Sequence, residues 1–599
     1  MAIPSVRKGS SLKDRLEARL AAALVAAGAP EGTPAIVQPA TRAGFGDYQA
    51  NGAMGAAKRM QRNPRELAQA ALAAAALDDM VSHAEIAGPG FINLTLSDAC
   101  LAAELEAFAA NVIAPQPVTE AAAPVVVDYS SPNLAKEMHV GHLRSTIIGD
   151  AMARVLEHTG HAVLRQNHVG DWGTQFGMLL TFMAELASDP DKVPDKQPDE
   201  HKVALEHELA DIETFYRNAK ERFDADAAFA QRARDTVVRL QAGDADCLAR
   251  WQQFIDISMR HCEAVYSRLG VGLDRSHVHA ESAYNDDLPA VVDDLEAAGL
   301  LVESEGARCV FLDEFKGKDD QPLPLIIQKR DGGYLYATTD LAAIRYRCGQ
   351  LGAERILYFV DNRQTLHFRQ VFAVARAAGF APAHVELEHM PFGTMLGEDG
   401  RPFRTRAGGV IRLTDLLDEA EERAFALVSE KNPELDETER REIARVVGIG
   451  AVKYADLSKH RNSDYVFAWD SMLSFDGNTA PYLQYAYSRV QSLFRRAEVD
   501  PAAFDAPISL QAEAERTLAL QLLRLPETLA TVARDGVPHL LCSHLFDIAV
   551  AFMAFYEQCP VLSAADTATR ESRLALAQRT SAALHTGLGL LGIGIVERM

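Results

Sequence analysis

The stretch from Val125 to Gly177 constrains the fold more than any other part of the chain. Val125-Val-Val-Asp-Tyr129 is a short β-branched run bounded by Pro124 and Ser130, the pattern of a buried strand. Ser130-Ser-Pro-Asn133 is turn chemistry. Ile147, Ala151 and Val155 then recur at helical spacing, and Gly160 stands where a helix would stop. Ala162 to Gln166 reads as the next strand. Strand, turn, helix, strand is the opening unit of a parallel α/β sheet.

Chemistry concentrates where that turn enters the helix. His139 and His142 are three apart and share one face of the first turn. Gly141 lies between them without a Cβ, so a flat ring or a phosphate can approach the backbone. A helix N-terminus already favours anions. Two imidazoles and Lys136 beside it suit charge developing on a phosphate. Histidine pairs at helix starts also serve only as caps. The position after a strand and before a helix is what favours the chemical reading.

At 599 residues the chain should hold about three or four domains. Residues 1–113 form an N-terminal unit with helical spacing from Ser11 to Ala27 and two strand pieces around a turn in Ile86 to Leu94. The Pro- and Ala-rich residues 114–124 are a linker. Residues 125–420 form the Rossmann-like parallel-sheet domain, with a charged helical insertion at about 185–270, solvated on most faces. Its strands resume near Val278 and run through Leu325 to Gln328, Tyr334 to Tyr336 and Arg355 to Val360. Residues 421–599 show only helical patterns, including Leu518 to Ala533 as one segment. The fold class is therefore α/β, with an α+β N-terminal domain and an all-helical C-terminal one.

Hydrophobic residues make up 48% of the chain, which argues against disorder. The seven cysteines form no Cys-x-x-Cys pair, so neither a zinc site nor a disulfide framework is expected and a reducing cytoplasm fits. No apolar run approaches membrane-spanning length, and the first twenty or so residues lack a signal-peptide pattern. A net charge of −23 disfavours nonspecific DNA binding yet allows a shaped RNA held by local basic residues. There is no P-loop, no Gly-x-Gly-x-x-Gly after Tyr129 and no His-Glu-x-x-His zinc motif.

A second group of residues suits a cationic ligand. Glu281 follows a strand end, Tyr336 and Asp340 are four apart at a strand-to-helix junction, and Gln364 follows the strand ending at Val360. Two carboxylates around an aromatic ring would pair with and stack on a guanidinium. Asp340 also reads as a plain helix cap after Thr338 and Thr339.

His139-Val-Gly-His142 resembles the first signature of class I aminoacyl-tRNA synthetases. With Ser131 to Lys136 and Asn167 to Gly177, nearly the whole chain is similar to the bacterial type of arginyl-tRNA synthetase. The resemblance implies an arginine–tRNA ligase using L-arginine, tRNA(Arg) and ATP as its Mg2+ complex, without a protein-held metal. The enzyme would be a cytoplasmic monomer with neither DNA nor a membrane as partner. By the same resemblance His139, His142 and Lys136 are catalytic, and Gly141 lies in the ATP site. Asn133, Glu281, Tyr336, Asp340 and Gln364 bind arginine. Phe91 and Asn93 face a D-loop base of tRNA, and Tyr482, Tyr485, Ala486, Arg489 and Met599 form the anticodon surface. The second class signature, a Lys-Met-Ser-Lys-Ser loop, is missing. Met395 to Gly409 stands in its place, with Arg404 and Arg406 as phosphate contacts, Gly408 and Gly409 as hinges, and Lys136 as the substituting lysine. Two alternatives stay open: a related synthetase or small adenylyltransferase, and a noncatalytic tRNA-binding relative. The helical C-terminal region argues against the small transferase, and retention of both histidines argues against the noncatalytic relative.

Overall fold

The computed structural model describes residues 11–40, 42, 44–119, 122–188, 212–317, 320–404 and 411–599. The expected charged loop at 189–198, and Arg406, Gly408 and Gly409, lie outside them. At the centre is a four-stranded parallel sheet in the order Glu386–His389, Arg355–Tyr358, Val125–Asp128, Val163–Gln166. All four residues of Val125–Asp128 are buried, because both faces are covered. The helix Val140–His158 makes the crossover to Val163–Gln166. It lies so close on the sheet that a Cβ at Gly149 would overlap the Tyr129 side chain.

Strand order reverses between Val125–Asp128 and Arg355–Tyr358, and the crevice beyond their C-terminal ends is where such sheets receive ligands. One guanidinium ties the strand ends there. Arg347, fully buried on the helix Tyr336–Gly349, donates to Asp128 Oδ2 at 2.6 Å and to Gln166 Oε1 at 2.6 Å, and lies 5.0 Å from the Tyr358 ring centroid. Three neighbouring strands are thereby joined at the edge of the crevice.

Three expected strands of this sheet are not part of it. Leu325–Gln328 belongs to a separate antiparallel sheet with Leu301–Ser304 and Ala307–Val310. The reason is legible in its burial: Ile326 is 41% exposed between buried neighbours, the alternation of a one-sided sheet. Tyr334 makes only a single bridge to Gln328, and Tyr336 already begins a helix. Val278 likewise makes one bridge, to Asn167, between two short 3-10 turns.

Among the described residues, the insertion comprises Ile212–Ala225, Ala227–Gln241 and Ala245–Leu269, packed on Thr174–Ser188. It is less solvated than its charge suggests, since Phe215, Phe229 and Phe254 build an aromatic core within it. The N-terminal unit carries a four-stranded antiparallel sheet and docks on the C-terminal helices. Arg516 bridges Asp47 at 2.6 Å, and Tyr48 Oη donates to Glu527 at 2.7 Å.

Helices start at Leu413–Lys431, and the region beyond is not purely helical: Tyr465–Val466 pairs with Met395–Leu396 of the sheet domain. The expected segment Leu518 to Ala533 is two helices, Glu513–Leu523 and Leu525–Asp535, divided where Pro526 can only occupy a first turn. The helix His539–Gln558 meets a membrane-span criterion by length and composition, contrary to the sequence expectation, with a mean hydropathy of 1.5. It packs against Glu513–Leu523, Leu525–Asp535 and Thr567–Leu590, and half of it is buried there, as in a core helix of a bundle.

Candidate active site

The turn after the first strand is held in an uncommon backbone. Ser130 and Ser131 are both left-handed, at φ 70° and 46°. Side-chain hydrogen bonds compensate this strain: Ser130 N donates to Ser145 Oγ at 2.9 Å, and Ser131 N donates to Asn167 Oδ1 at 3.0 Å. The chain then runs to His139, the N-cap of the helix.

His139 Nδ1 accepts from Gly141 N at 3.0 Å, and His142 Nδ1 accepts from His139 N at 3.1 Å. Each Nδ1 is thus an acceptor, which places the proton of each neutral ring on Nε2. Burial first, then Lys136, pushes His139 below its ordinary value. Burial first, then His139, pushes His142 down to about 3. The two rings, with centroids 4.1 Å apart, are therefore a pair of neutral N–H donors at neutral pH. A Cβ on Gly141 would come within 2.7 Å of the His139 ring, so the glycine first makes room for that imidazole.

Lys136 is exposed, and its ammonium lies 4.4 Å from the ring centroid of Tyr216 on the insertion. That contact is worth about 0.5–1 kcal/mol at an exposed site and is readily exchanged for a phosphate. The chain just beyond Met395 to Gly409 is fastened at the same place. Val140 N donates to Ile411 O at 3.1 Å, and Leu413 N donates to Met138 O at 3.0 Å. Arg404 is exposed at the end of the hairpin that begins at Met395.

Of the residues expected to suit a cationic ligand, Glu281, Tyr336 and Asp340 lie within electrostatic reach of one another. Glu281 opens a short turn, Glu281–Tyr284. Burial first, then Asp171 and Asp340, push its carboxyl up to about 8. Tyr336 is 66% exposed at the start of its helix, within electrostatic reach of Glu281. Asp340 lies inside its helix and is not a cap; its carboxylate meets His367 Nε2 at 2.6 Å. Gln364 is exposed one turn before His367. Asn133 pairs with Gly170 near the histidine turn, and its Oδ1 accepts from Ala135 N at 3.0 Å. Asp171, His367 and Arg347 were not singled out from the sequence. His367 had a local signal in its three-residue spacing from Gln364; the other two find partners far along the chain. Among the described residues, no three His, Cys, Asp or Glu side chains are grouped to hold a metal.

The expected tRNA positions divide by burial. Phe91 is half-buried, whereas Asn93 is 2% exposed, with its amide bonded to Gln49 and Glu85 inside the sheet. Ala486 is fully buried. Asn93 and Ala486 both present almost no surface in this structure. Tyr482, Tyr485 and Arg489 are half-buried on one helix face, with Arg489 lying over Tyr485 and Tyr556. Met599 is half-buried against the cluster of Val428, Ile443 and Val447.

Three family models match the chain. "tRNA synthetases class I (R), catalytic domain" covers residues 106–469, "Arginyl tRNA synthetase N terminal domain" covers 11–96, and "DALR anticodon binding domain" covers 483–599. The arginine–tRNA ligase of Hahella chejuensis is 56% identical over 589 residues, covering 98% of this chain and 100% of the relative. That of Laribacter hongkongensis is 56% identical over 590 residues, with the same coverage. Among solved structures, the arginyl-tRNA synthetase of Plasmodium falciparum matches with a TM-score of 0.82 at 28% identity, over 99% of this chain and 100% of that one. The Thermus thermophilus enzyme matches with a TM-score of 0.81 at 27% identity, over 98% of this chain and 100% of that one. A class I catalytic-domain model over more than half of the chain, and identity above one half along almost its whole length, leave one conclusion: the chain belongs to the class I arginyl-tRNA synthetase family.

Proposed function

We infer that the chain is an arginine–tRNA ligase working in two steps on MgATP, L-arginine and tRNA(Arg). The arginine carboxylate attacks the α-phosphorus of ATP, the bond to the β-phosphate breaks, and pyrophosphate leaves as arginyl-adenylate forms. The 2′-hydroxyl of the terminal adenosine then attacks the anhydride carbonyl, the bond to AMP breaks, and the hydroxyl proton is released. The observation that carries this reading is identity of 56% to arginine–tRNA ligases along 98% of the chain, and the pair of neutral imidazole donors and the buried Glu281 carboxyl support it. Catalysis is mainly positioning and stabilisation of phosphate oxygens.

His139 and His142 donate Nε2–H to the phosphates, joined by Lys136 and, from the loop, Arg404 and Arg406. Gly141 leaves the adenine side open. Asn133 receives the α-amino end of arginine, while Glu281, Tyr336, Asp340 and Gln364 receive the guanidinium end. Tyr482, Tyr485, Arg489 and Met599 read the anticodon, and Phe91 touches the D-loop. Activation requires bound tRNA. The enzyme works as a cytoplasmic monomer, without DNA or a membrane as partner; seven free cysteines, six of them buried, suit a reducing compartment. The test is charging of tRNA transcripts ending in 2′-deoxy- or 3′-deoxyadenosine. Arginine should load only the 3′-deoxy form, and loading of the 2′-deoxy form would overturn the assignment.

Three results are expected at the site. Lys136→Ala should damage arginine activation more than Arg404→Ala, since Lys136 immediately precedes the histidine turn; pyrophosphate exchange on both variants checks the order. Asp340→Asn should raise the arginine KM by an amount equivalent to about 1.5–3 kcal/mol and weaken rejection of citrulline, because a charge-assisted pair is lost. Competition between arginine and citrulline measures it. Below a pH of about 8 the free enzyme holds a proton on Glu281 that a guanidinium must expel. The arginine KM should therefore fall as pH rises and level off near that value, as a KM–pH profile would record.

A further inference from the structure

The segment from Asn167 to Asp171 has no role in the scheme above, yet it is threaded between the two halves of the arginine pocket. On the Asn133 side, Leu134 N donates to Gly170 O at 2.9 Å and Gly170 N donates to Pro132 O at 3.1 Å. On the Glu281 side, His279 N donates to Asn167 O at 3.2 Å and Glu281 N donates to Val169 O at 3.1 Å. The Asp171 carboxylate, with the residue 3% exposed, accepts from Ser282 N at 2.9 Å and from Ser282 Oγ at 2.6 Å. Trp251 Nε1 of the insertion donates to Asp171 O at 2.8 Å and anchors the segment from behind.

The turn Glu281–Tyr284 is a four-residue 3-10 piece, too short to be stable alone. Its own N-cap position is Ala280, which makes no side-chain cap hydrogen bond. The first N–H groups of a helical turn need acceptors. Here both come from outside the turn: Val169 O takes Glu281 N, and Asp171 takes Ser282 N. The carboxylate thus does the work of a missing cap for the turn that presents Glu281.

We propose that Asp171 is a positioning residue for arginine recognition, capping the turn that carries Glu281 and so setting where the guanidinium is received. This rests on the assignment of Glu281 to the guanidinium in the proposed function. The placement matters because a shift of about 1 Å in a recognition group can cost about 10²-fold. Asp171→Asn keeps an amide oxygen for Ser282 N, whereas Asp171→Ala leaves that half-buried N–H without its acceptor.

The test is steady-state kinetics of the full chain with tRNA, varying arginine and ATP separately. Asp171→Ala should raise the arginine KM by about tenfold or more while the ATP KM moves less than about twofold, and Asp171→Asn should recover most of the loss. Ser282→Ala, which removes only the hydroxyl bond, should raise the arginine KM by about threefold, and it serves if Asp171→Ala does not fold. An unchanged arginine KM in these variants, or arginine and ATP KM values rising together, would overturn the proposal. Glu281→Gln separates the two readings. A raised arginine KM there with silent Asp171 variants refutes the positioning role alone. An unchanged arginine KM in Glu281→Gln refutes the pocket assignment, and the positioning role with it.

Discussion

His142→Ala should slow arginine activation by about 10²–10³-fold, with tRNA binding nearly unchanged. The tautomers of the two rings decide the size of the loss. His142 Nδ1 is already engaged by His139 N, so the ring can offer only Nε2–H to a ligand. Burial and the neighbouring ring hold its pKa down to about 3, so what is lost is a fixed neutral donor and not a cation. Such donors cost no reorganisation when charge develops on phosphate oxygens, and each contributes on the scale of an oxyanion-hole group. The substitution also removes the acceptor of His139 N, which loosens the helix N-terminus locally. Pyrophosphate exchange on the folded variant, beside a tRNA-binding measurement, separates the chemical loss from a general one. Exchange near the level of the unsubstituted chain would remove this ring from the phosphate site.

Arg347→Ala should be the most destabilising single change considered, at about 3–5 kcal/mol. The guanidinium is fully buried, and Asp128, its ion-pair partner, is 4% exposed. Removing it strands a carboxylate at the C-terminal end of the central strand and takes the donor from Gln166 on the neighbouring strand. Desolvating an unpaired carboxylate costs more than the original pair contributes, which is why loss of one partner is so damaging. The checking measurement is the midpoint of thermal unfolding, which should fall by several degrees in the transition of the sheet domain. An unchanged midpoint would mean that water reaches Asp128 and that the strand ends are not closed as described.

How much was legible in the sequence depended on how local each signal is. Val125 to Gln166 could be read because the apolar period switches from strand to helix and back within one contiguous stretch. Leu325–Gln328 could be read as a strand but not assigned to its sheet, since that depends on partners at Ala307–Val310. The histidine turn carries its meaning in four consecutive residues. The tautomers that make it a pair of donors emerge only from Nδ1 geometry. Asp171 meets Ser282 across 111 residues, and Arg347 meets Asp128 across 219, so no local pattern could have selected either. Asn93 and Ala486 show the converse case: a matching position does not reveal that the side chain faces inward.

The central claim is that one crevice joins ATP phosphates to a guanidinium-bearing amino acid, under the control of tRNA. Its most direct measurement is ATP–pyrophosphate exchange with each standard amino acid in turn, with and without tRNA. Exchange is expected with arginine alone, and only when tRNA is present. Exchange sustained by a different amino acid, or none with arginine and tRNA together, would contradict it.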